Sequence, residues 1–348
     1  MSEQHGLAVT RHYFPGGNTA AGYTGYMNEL PDMSAVTYVI KGAPGVGKST
    51  LMRAVGALLS QAGEDVDCFH CSGDPASLDA VFSRGRRLLI MDGTAPHVVD
   101  PVLVGARDRL LDMTVCLDTE ALEPRLNEIE ALQKDISAQY ARAYHYLKGA
   151  DEIIRATEEI YERLIDKNAT AAVYETLSAL LPSHADAPVP QKLFAQAITH
   201  KGVVSFVDDA LTGTVYTLDC PFGYPAHLIL SDLARESERR ALKGTKYLDP
   251  LNAARISHLS FPSVTFTTAA DGDTRLVPLP YDKQGAQKYS QTLAFHRAAH
   301  DLLLNQAVEA LAGAKTQHDA LERIYMDAMD YDRLATLRQK LFTELALK

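Results

Sequence analysis

The strongest chemical signal in the sequence is the run Gly42-Ala43-Pro44-Gly45-Val46-Gly47-Lys48-Ser49, followed by Thr50. Gly42, Gly45 and Gly47 allow backbone angles and close approaches that a Cβ would block. Amides of such a loop, with the N-terminus of a following helix, point at phosphate oxygens. Lys48 then has the reach and charge for β- and γ-phosphates, and the Ser49 hydroxyl suits a magnesium ion. A second element fits the same chemistry. Leu88-Leu89-Ile90-Met91-Asp92 is an apolar run ending in a carboxylate, and Asp92 at a strand's C-terminal edge would hold magnesium through water. These residues predict a site for a nucleoside triphosphate such as ATP with Mg2+. Lys48 and Asp92 are its candidate catalytic groups, Gly42 to Thr50 its binding residues, and Ser49 and Asp92 its metal residues.

The flanking segments suit that role. Val36-Thr37-Tyr38-Val39-Ile40 is β-branched and aromatic, as in a strand buried on both faces. From Ser49 to Ala62, Leu51, Met52, Val55, Leu58 and Leu59 make one apolar helical stripe, and Gly63 supplies a stop. Gly93 follows Asp92 in place of the glutamate that orients water in many ATPases. Asp92-Gly93, with Pro96 and His97 soon after, loosely matches the Asp-Gly-aromatic-Pro-Arg of nucleotide kinases and leans towards a small-molecule phosphoryl acceptor. Asp65 to Cys71 reads as another strand, and Ser72-Gly73-Asp74-Pro75 as a turn on the same edge. Cys68 and Cys71 have the spacing of half a zinc site, but no second pair completes it. Arg84, Arg86 and Arg87 read by default as a solvated face, with charge-stabilising groups as the alternative.

Composition limits the alternatives. The chain has 348 residues, 46% of them hydrophobic, and a net charge of −10. The acidic balance argues against a nucleic-acid partner. Four cysteines make no disulfide framework and point to a reducing cytoplasm. No run approaches the roughly 20 apolar residues of a membrane span, and Met1 to Thr10 lacks the apolar core of a signal peptide.

From Glu120 to Asp166 the composition is helical, predicting two long antiparallel helices. Residues 182–190 are a proline-rich linker between a first domain, 1–181, and a second, 191–348. Beyond the linker the chain starts again. Phe14, Thr19 and Gly22 recur as Phe194, Thr199 and Gly202, 180 residues on; Pro44 and Leu51 as Pro221 and Leu228, at 177. Asp74-Pro75 recurs as Asp249-Pro250, at 175. Leu147, Gly149, Glu158, Tyr161 and Asp166 recur as Leu311, Gly313, Glu322, Tyr325 and Asp330, at 164. A second arm, Gln284–Asp330, follows from that register. At these offsets Pro225 stands for Lys48, Ala226 for Ser49 and Thr267 for Asp92. The second half is therefore expected to keep the fold and to lack the triphosphate chemistry.

The pattern resembles a bacterial family of tandem P-loop ATPase-like or nucleotide-kinase-like proteins of unassigned biochemical role. The likeness is carried by His12-Tyr13-Phe14 with Gly16-Gly17-Asn18-Thr19, by Lys41 to Ser49, by His70-Cys71-Ser72 with Asp74-Pro75, and by Asp92-Gly93-Thr94-Ala95-Pro96-His97. It implies an α/β P-loop NTPase fold duplicated in tandem. The sheets would be mainly parallel and flanked by helices, and each half would carry a long helical arm. Members often keep a usable loop in both halves, from which this second half departs. Gly16 to Thr19 is where such proteins can contact the base or a second substrate.

Three functions remain open to the sequence. The first is an ATPase or small-molecule kinase using the first loop alone. The second is a nucleotide-gated switch or scaffold whose arms bind a protein partner. In the third, the second half completes the first site, with Arg235, Arg239 or Arg240 as an arginine finger.

Overall fold

The computed structural model describes residues 8–95, 98–185, 191–269 and 274–347. Pro96, His97 and most of the linker, 186–190, lie outside the described residues. The first half contributes strands β1 (Thr10–Tyr13), β2 (Gly16–Thr19), β3 (Gly22–Gly25) and β4 (Val36–Lys41), then helix α1 (Lys48–Gln61). Strands β5 (Val66–His70), β6 (Leu78–Ser83), β7 (Leu88–Asp92) and β8 (Asp108–Asp112) follow. Helices α2 (Thr119–Leu122), α3 (Leu126–Glu162) and α4 (Lys167–Ser178) close that half.

The second half repeats the series. It runs β9 (Lys192–Leu193), β10 (Gln196–Thr199), β11 (Gly202–Ser205), α5 (Val207–Ala210), β12 (Thr214–Asp219) and α6 (His227–Arg239). Then come β13 (Thr245–Leu248), β14 (Ile256–Phe261), β15 (Val264–Thr267) and β16 (Arg275–Pro278). Helices α7 (Lys283–Gln287), α8 (Ser290–Asp327) and α9 (Tyr331–Glu344) end the chain.

The two six-stranded sheets have the same order: β1-β5-β6-β7-β4-β8, and β9-β13-β14-β15-β12-β16. They are mixed but mainly parallel, as expected: in each, five strands run in one direction and one is reversed. β6 runs antiparallel to both β5 and β7, and β14 does the same between β13 and β15. The cause is connector length. A parallel return needs a crossover of about a dozen residues or more, and only 71–77 and 84–87 join these strands. Arg87 takes a left-handed φ of 50° to turn that second corner. β6 itself, Leu78 to Ser83, is buried along its whole length.

The arms differ from the two antiparallel helices expected. α3 is one helix of 37 residues and α8 one of 38, with Gly149 and Gly313 inside them. A helical glycine costs about 1 kcal/mol relative to alanine, and packing offsets that here. A Cβ at Gly149 would meet Leu303 at 3.3 Å, and one at Gly313 would meet Gln139 at 3.0 Å.

The chain packs as two compact units that do not follow the halves 1–181 and 191–348. The first unit holds Met1–Pro15, Gly25–Tyr140 and Ala310–Lys348; the second holds Gly16–Thr24 and Ala141–Glu309. Each arm helix thus begins in one unit and ends in the other. In the first unit, Leu341, Leu345 and Leu347 of the second half join Met52, Val55 and Leu59 of α1 and Ile40 and Ile90 of the sheet in one apolar core. The same unit bridges Leu117 to Met329, while the second bridges Tyr281 to Ile165. In the second unit the hairpin β2–β3 packs on β10–β11, with the Asn18 amide donating to Ile198 O at 3.0 Å. Among the described residues, no helix is long and apolar enough to cross a membrane.

Candidate functional site

In the first unit, β4 delivers the chain to the glycine loop and α1 carries it away, as the flanking patterns predict. Gly45 and Gly47 have φ of 76° and 89°, which a side chain would strain. Gly47 is the N-cap of α1, and no side chain caps that end. The first-turn amides therefore face the loop without a side-chain acceptor, as in an anion-binding helix end. The Lys48 ammonium lies over the loop, donating to Gly42 O at 3.1 Å and Ala43 O at 2.8 Å. It stands 3.6 Å from the Asp92 carboxylate.

Ser49 and Asp92 reach the same edge. Ser49 Oγ accepts from the Leu78 amide at 2.9 Å. Asp92 Oδ1 accepts from the Thr94 amide at 2.9 Å and its hydroxyl at 2.6 Å, which fixes the carboxylate's direction. β4 and β7 are adjacent and parallel, with Ile40 opposite Asp92, so both loops leave the sheet at one end. At Gly93 a Cβ would stand 2.4 Å from Val39 Cγ1 and 2.6 Å from Val99 O. Packing therefore leaves no room at this position for a water-orienting glutamate. A cation, a hydroxyl, a carboxylate and a helix N-terminus converge here, a set able to hold an anion together with a divalent metal.

Sequence reasoning missed the residues that α8 brings to this edge. A Cβ at Gly45 would meet the Glu322 carbonyl oxygen at 2.7 Å, so the α8 backbone rests on the loop. One turn or two earlier, His318 and Lys315 lie on the same face, and Lys315 reaches Asp74 at 3.4 Å. Burial pushes the His318 pKa down; the charges of Lys315 and Lys48 also lower it, while Glu322 and Asp319 oppose them. Possible ligand atoms of His318, Asp319 and Glu322 lie within 4.8 Å of one another, the only such group among the described residues. The ammonium of Lys315 already neutralises Asp319. The repeat did align Glu322 with Glu158, but no local pattern tells that an arm crosses to the other half's loop.

The strand registers correct the expected correspondence of the halves by one residue. β4 and β12 each have six residues, and Met113 and Leu279 donate to Lys41 O and Asp219 O respectively. Lys48 therefore corresponds to Ala226, not Pro225, and Ser49 to His227, not Ala226. The positive φ of Gly45 recurs at Gly223, at 73°. Met91 pairs with Val39 and Thr267 with Thr217, so Thr268, not Thr267, stands for Asp92. Between strands, His70 pairs with Leu78 and Leu248 with Ile256. Asn252 thus takes the place of Asp74, and Asp249-Pro250 lies three positions early.

The second unit fills its loop with ion pairs. α3 approaches Gly223 as α8 approaches Gly45; a Cβ there would meet Thr157 Cγ2 at 2.4 Å. Arg255 pairs with Asp151 at 2.5 Å and with Glu158 at 3.2 Å, all three largely buried. His227 stands 3.5 Å from Glu158. Burial and the Arg255 charge hold the His227 pKa down at about 4, so it is neutral near pH 7.

Cys68 is buried on β5, and burial pushes the Cys71 thiol well above the usual thiol range. Asp74 begins a turn at the C-terminal end of β5, on the loop's edge. His12 and His70 share a 2.8 Å hydrogen bond, and His70 Nδ1 must donate to Pro75 O because a carbonyl only accepts. Arg84 pairs with buried Asp67 at 2.8 Å and Arg86 with Glu64 at 3.5 Å, so these two are structural rather than merely solvated. Gly16 to Thr19 is buried in the second unit, where Asn18 also accepts from Tyr144 at 3.2 Å. Arg235, Arg239 and Arg240 belong to the second unit and pair with Asp232 and Glu236 of their own helix.

No protein-family model matches the chain, and no curated protein or solved structure matches it either.

Proposed function

We propose that the first unit binds one nucleoside triphosphate with magnesium at Gly42 to Thr50 and transfers or hydrolyses its terminal phosphate. The observation that carries this reading is the convergence of Lys48, Ser49 and Asp92 with the uncapped end of α1 on one sheet edge. Loop amides and the helix end would bind inner phosphates, and Lys48 would leave the carbonyls of Gly42 and Ala43 for the β- and γ-phosphates. Ser49 would ligate the metal directly and Asp92 through water. Phosphoryl transfer asks little more of a protein than positioning and charge neutralisation.

Transfer to a small acceptor is favoured over hydrolysis by the close packing at Gly93, which excludes a water-orienting glutamate from that position. The second half, with Ala226, His227 and Thr268 at the corresponding places, would bind no triphosphate. The test incubates γ-labelled ATP and magnesium with the protein and a panel of nucleosides, nucleotides and other small alcohols. Label in an acceptor, lost in Lys48→Ala, supports the kinase reading. Release of free phosphate alone reassigns the site to hydrolysis, and equal nucleotide binding by wild type and Lys48→Ala overturns the site itself.

A second reading, a nucleotide-gated switch, draws on α8, which carries Glu322 at the loop and begins in the second unit. Turnover below about one per minute, with nucleotide-dependent hydrogen exchange along α8, would favour it over an enzyme.

A further inference from the structure

The α8 residues Lys315, His318, Asp319 and Glu322 follow i, i+3, i+4, i+7 spacing, so they form one stripe on the helix. Both ends of the stripe are fixed within the first unit. Glu322 lies against Gly45 through its backbone, and Lys315 pairs with Asp74 after β5. His318 lies between them, roughly one helical pitch, or 5 Å, along the axis from Glu322.

The commitments of these groups differ. Lys315 is bound by Asp74 and Asp319. Lys48 is held by loop carbonyls and Asp92. The His318 ring has the Glu322 carboxylate at 3.7 Å, beyond hydrogen-bond length. Among the described residues the ring thus makes an ion-pair contact but no hydrogen bond, on the face that rests on the loop. The α8 face that carries His318 rests on the phosphate loop at Gly45, where the loop lysine reaches the β- and γ-phosphates. An imidazole N–H can donate to a phosphate oxygen in the neutral form as well as the charged one.

We propose that His318, carried on the arm of the second half of the sequence, contacts the terminal phosphate of a triphosphate on the loop and makes the site distinguish triphosphate from diphosphate. This rests on the reading of Gly42 to Thr50 as the triphosphate site. The Glu322 carboxylate beside the ring disfavours a bare anion, so the ligand enters as its magnesium complex. The exchange of arms then has a chemical purpose. The half that lacks the lysine supplies the group that reads the length of the phosphate chain.

The test is a titration of ATP and ADP, each with excess magnesium, into wild type, His318→Ala, His318→Gln and Lys48→Ala. Thermal unfolding without nucleotide checks that each variant is folded. Wild type should prefer ATP. His318→Ala should lose roughly ten- to a hundredfold of ATP affinity, the range for a hydrogen bond to a charged group, with ADP affinity unchanged. His318→Gln, which keeps an N–H donor, should retain most of the preference. An ATP-to-ADP ratio in His318→Ala equal to that of wild type overturns the proposal, as does a parallel loss of both affinities. If Lys48→Ala binds both nucleotides as wild type does, the loop reading falls instead, whatever His318 does.

Discussion

The two loops at Gly42–Ser49 and Cys220–His227 begin from the same backbone and end in opposite chemistry. Both follow the fifth strand of an identically ordered sheet, both turn through a left-handed glycine, and both have an arm helix against that glycine. In the first unit the approaching face brings Lys315, His318 and Glu322 to a loop that keeps its own lysine. In the second, Asp151 and Glu158 of α3 meet Arg255, with neutral His227 beside Glu158, and the arginine supplies a countercharge inside the protein. Asp151 corresponds to Lys315 and Asn252 to Asp74, so a lysine–aspartate pair in one unit becomes an aspartate–asparagine hydrogen bond in the other. A loop whose charges are satisfied internally has no electrostatic need of a ligand. A lysine held only by carbonyls and one carboxylate can exchange them for phosphate oxygens. The fold is shared; the difference lies in where the countercharge comes from.

Substitutions can break that contrast. The largest effect is expected from Arg255→Ala, which leaves Asp151 and Glu158 buried without a countercharge. Losing one partner of a buried pair costs about 3–5 kcal/mol, measurable by urea unfolding, whereas Ser77→Ala at the corresponding place should cost under about 1 kcal/mol. Equal costs would deny the second loop its structural role. Next comes Lys48→Ala, which should abolish the thermal shift given by ATP with magnesium. Ala226→Lys should not create a second binding event, because Arg255 already occupies that unit's carboxylates. Two sites by calorimetry in wild type would end the contrast outright.

A smaller effect is expected at Gly45→Ala, where φ is 76° and the Cβ would meet the α8 backbone rather than a movable side chain. Strain of about 1–3 kcal/mol is expected, with weakened nucleotide binding. The smallest concerns pH. His227 is held neutral, its pKa moved from 6.5 to about 4. A group whose folded pKa is depressed binds its proton more readily when unfolded, so its contribution is complete above about pH 6.5 and declines towards pH 4. His227→Gln should make the acid limb of the stability curve shallower. Ser49→Ala, at the corresponding position, should leave its slope unchanged.

Much of the first loop could be read from neighbouring residues. Val36 to Ile40, the glycine run, the stripe from Leu51 to Leu59, the stop at Gly63 and the strand Leu88–Asp92 are local patterns, and each falls where it was expected. β6 was missed because both its faces are buried and Asp79 and Ser83 interrupt its apolar run. Matching Pro221 and Leu228 by residue type places the second loop one residue out of register. Ladder hydrogen bonds, which no single residue encodes, fix the true pairing.

The sequence by itself determined the loop, its flanking strand and helix, and the duplication, because glycine angles, apolar periodicity and repeated residues are properties of short stretches. Tertiary structure alone decided that α8 lies on the first loop and α3 on the second. Either arm could pack on either sheet as far as its own stripe is concerned. The choice depends on which distant surfaces bury Leu341 and Leu345 and which charges meet Arg255, and those are contacts between residues far apart in the chain.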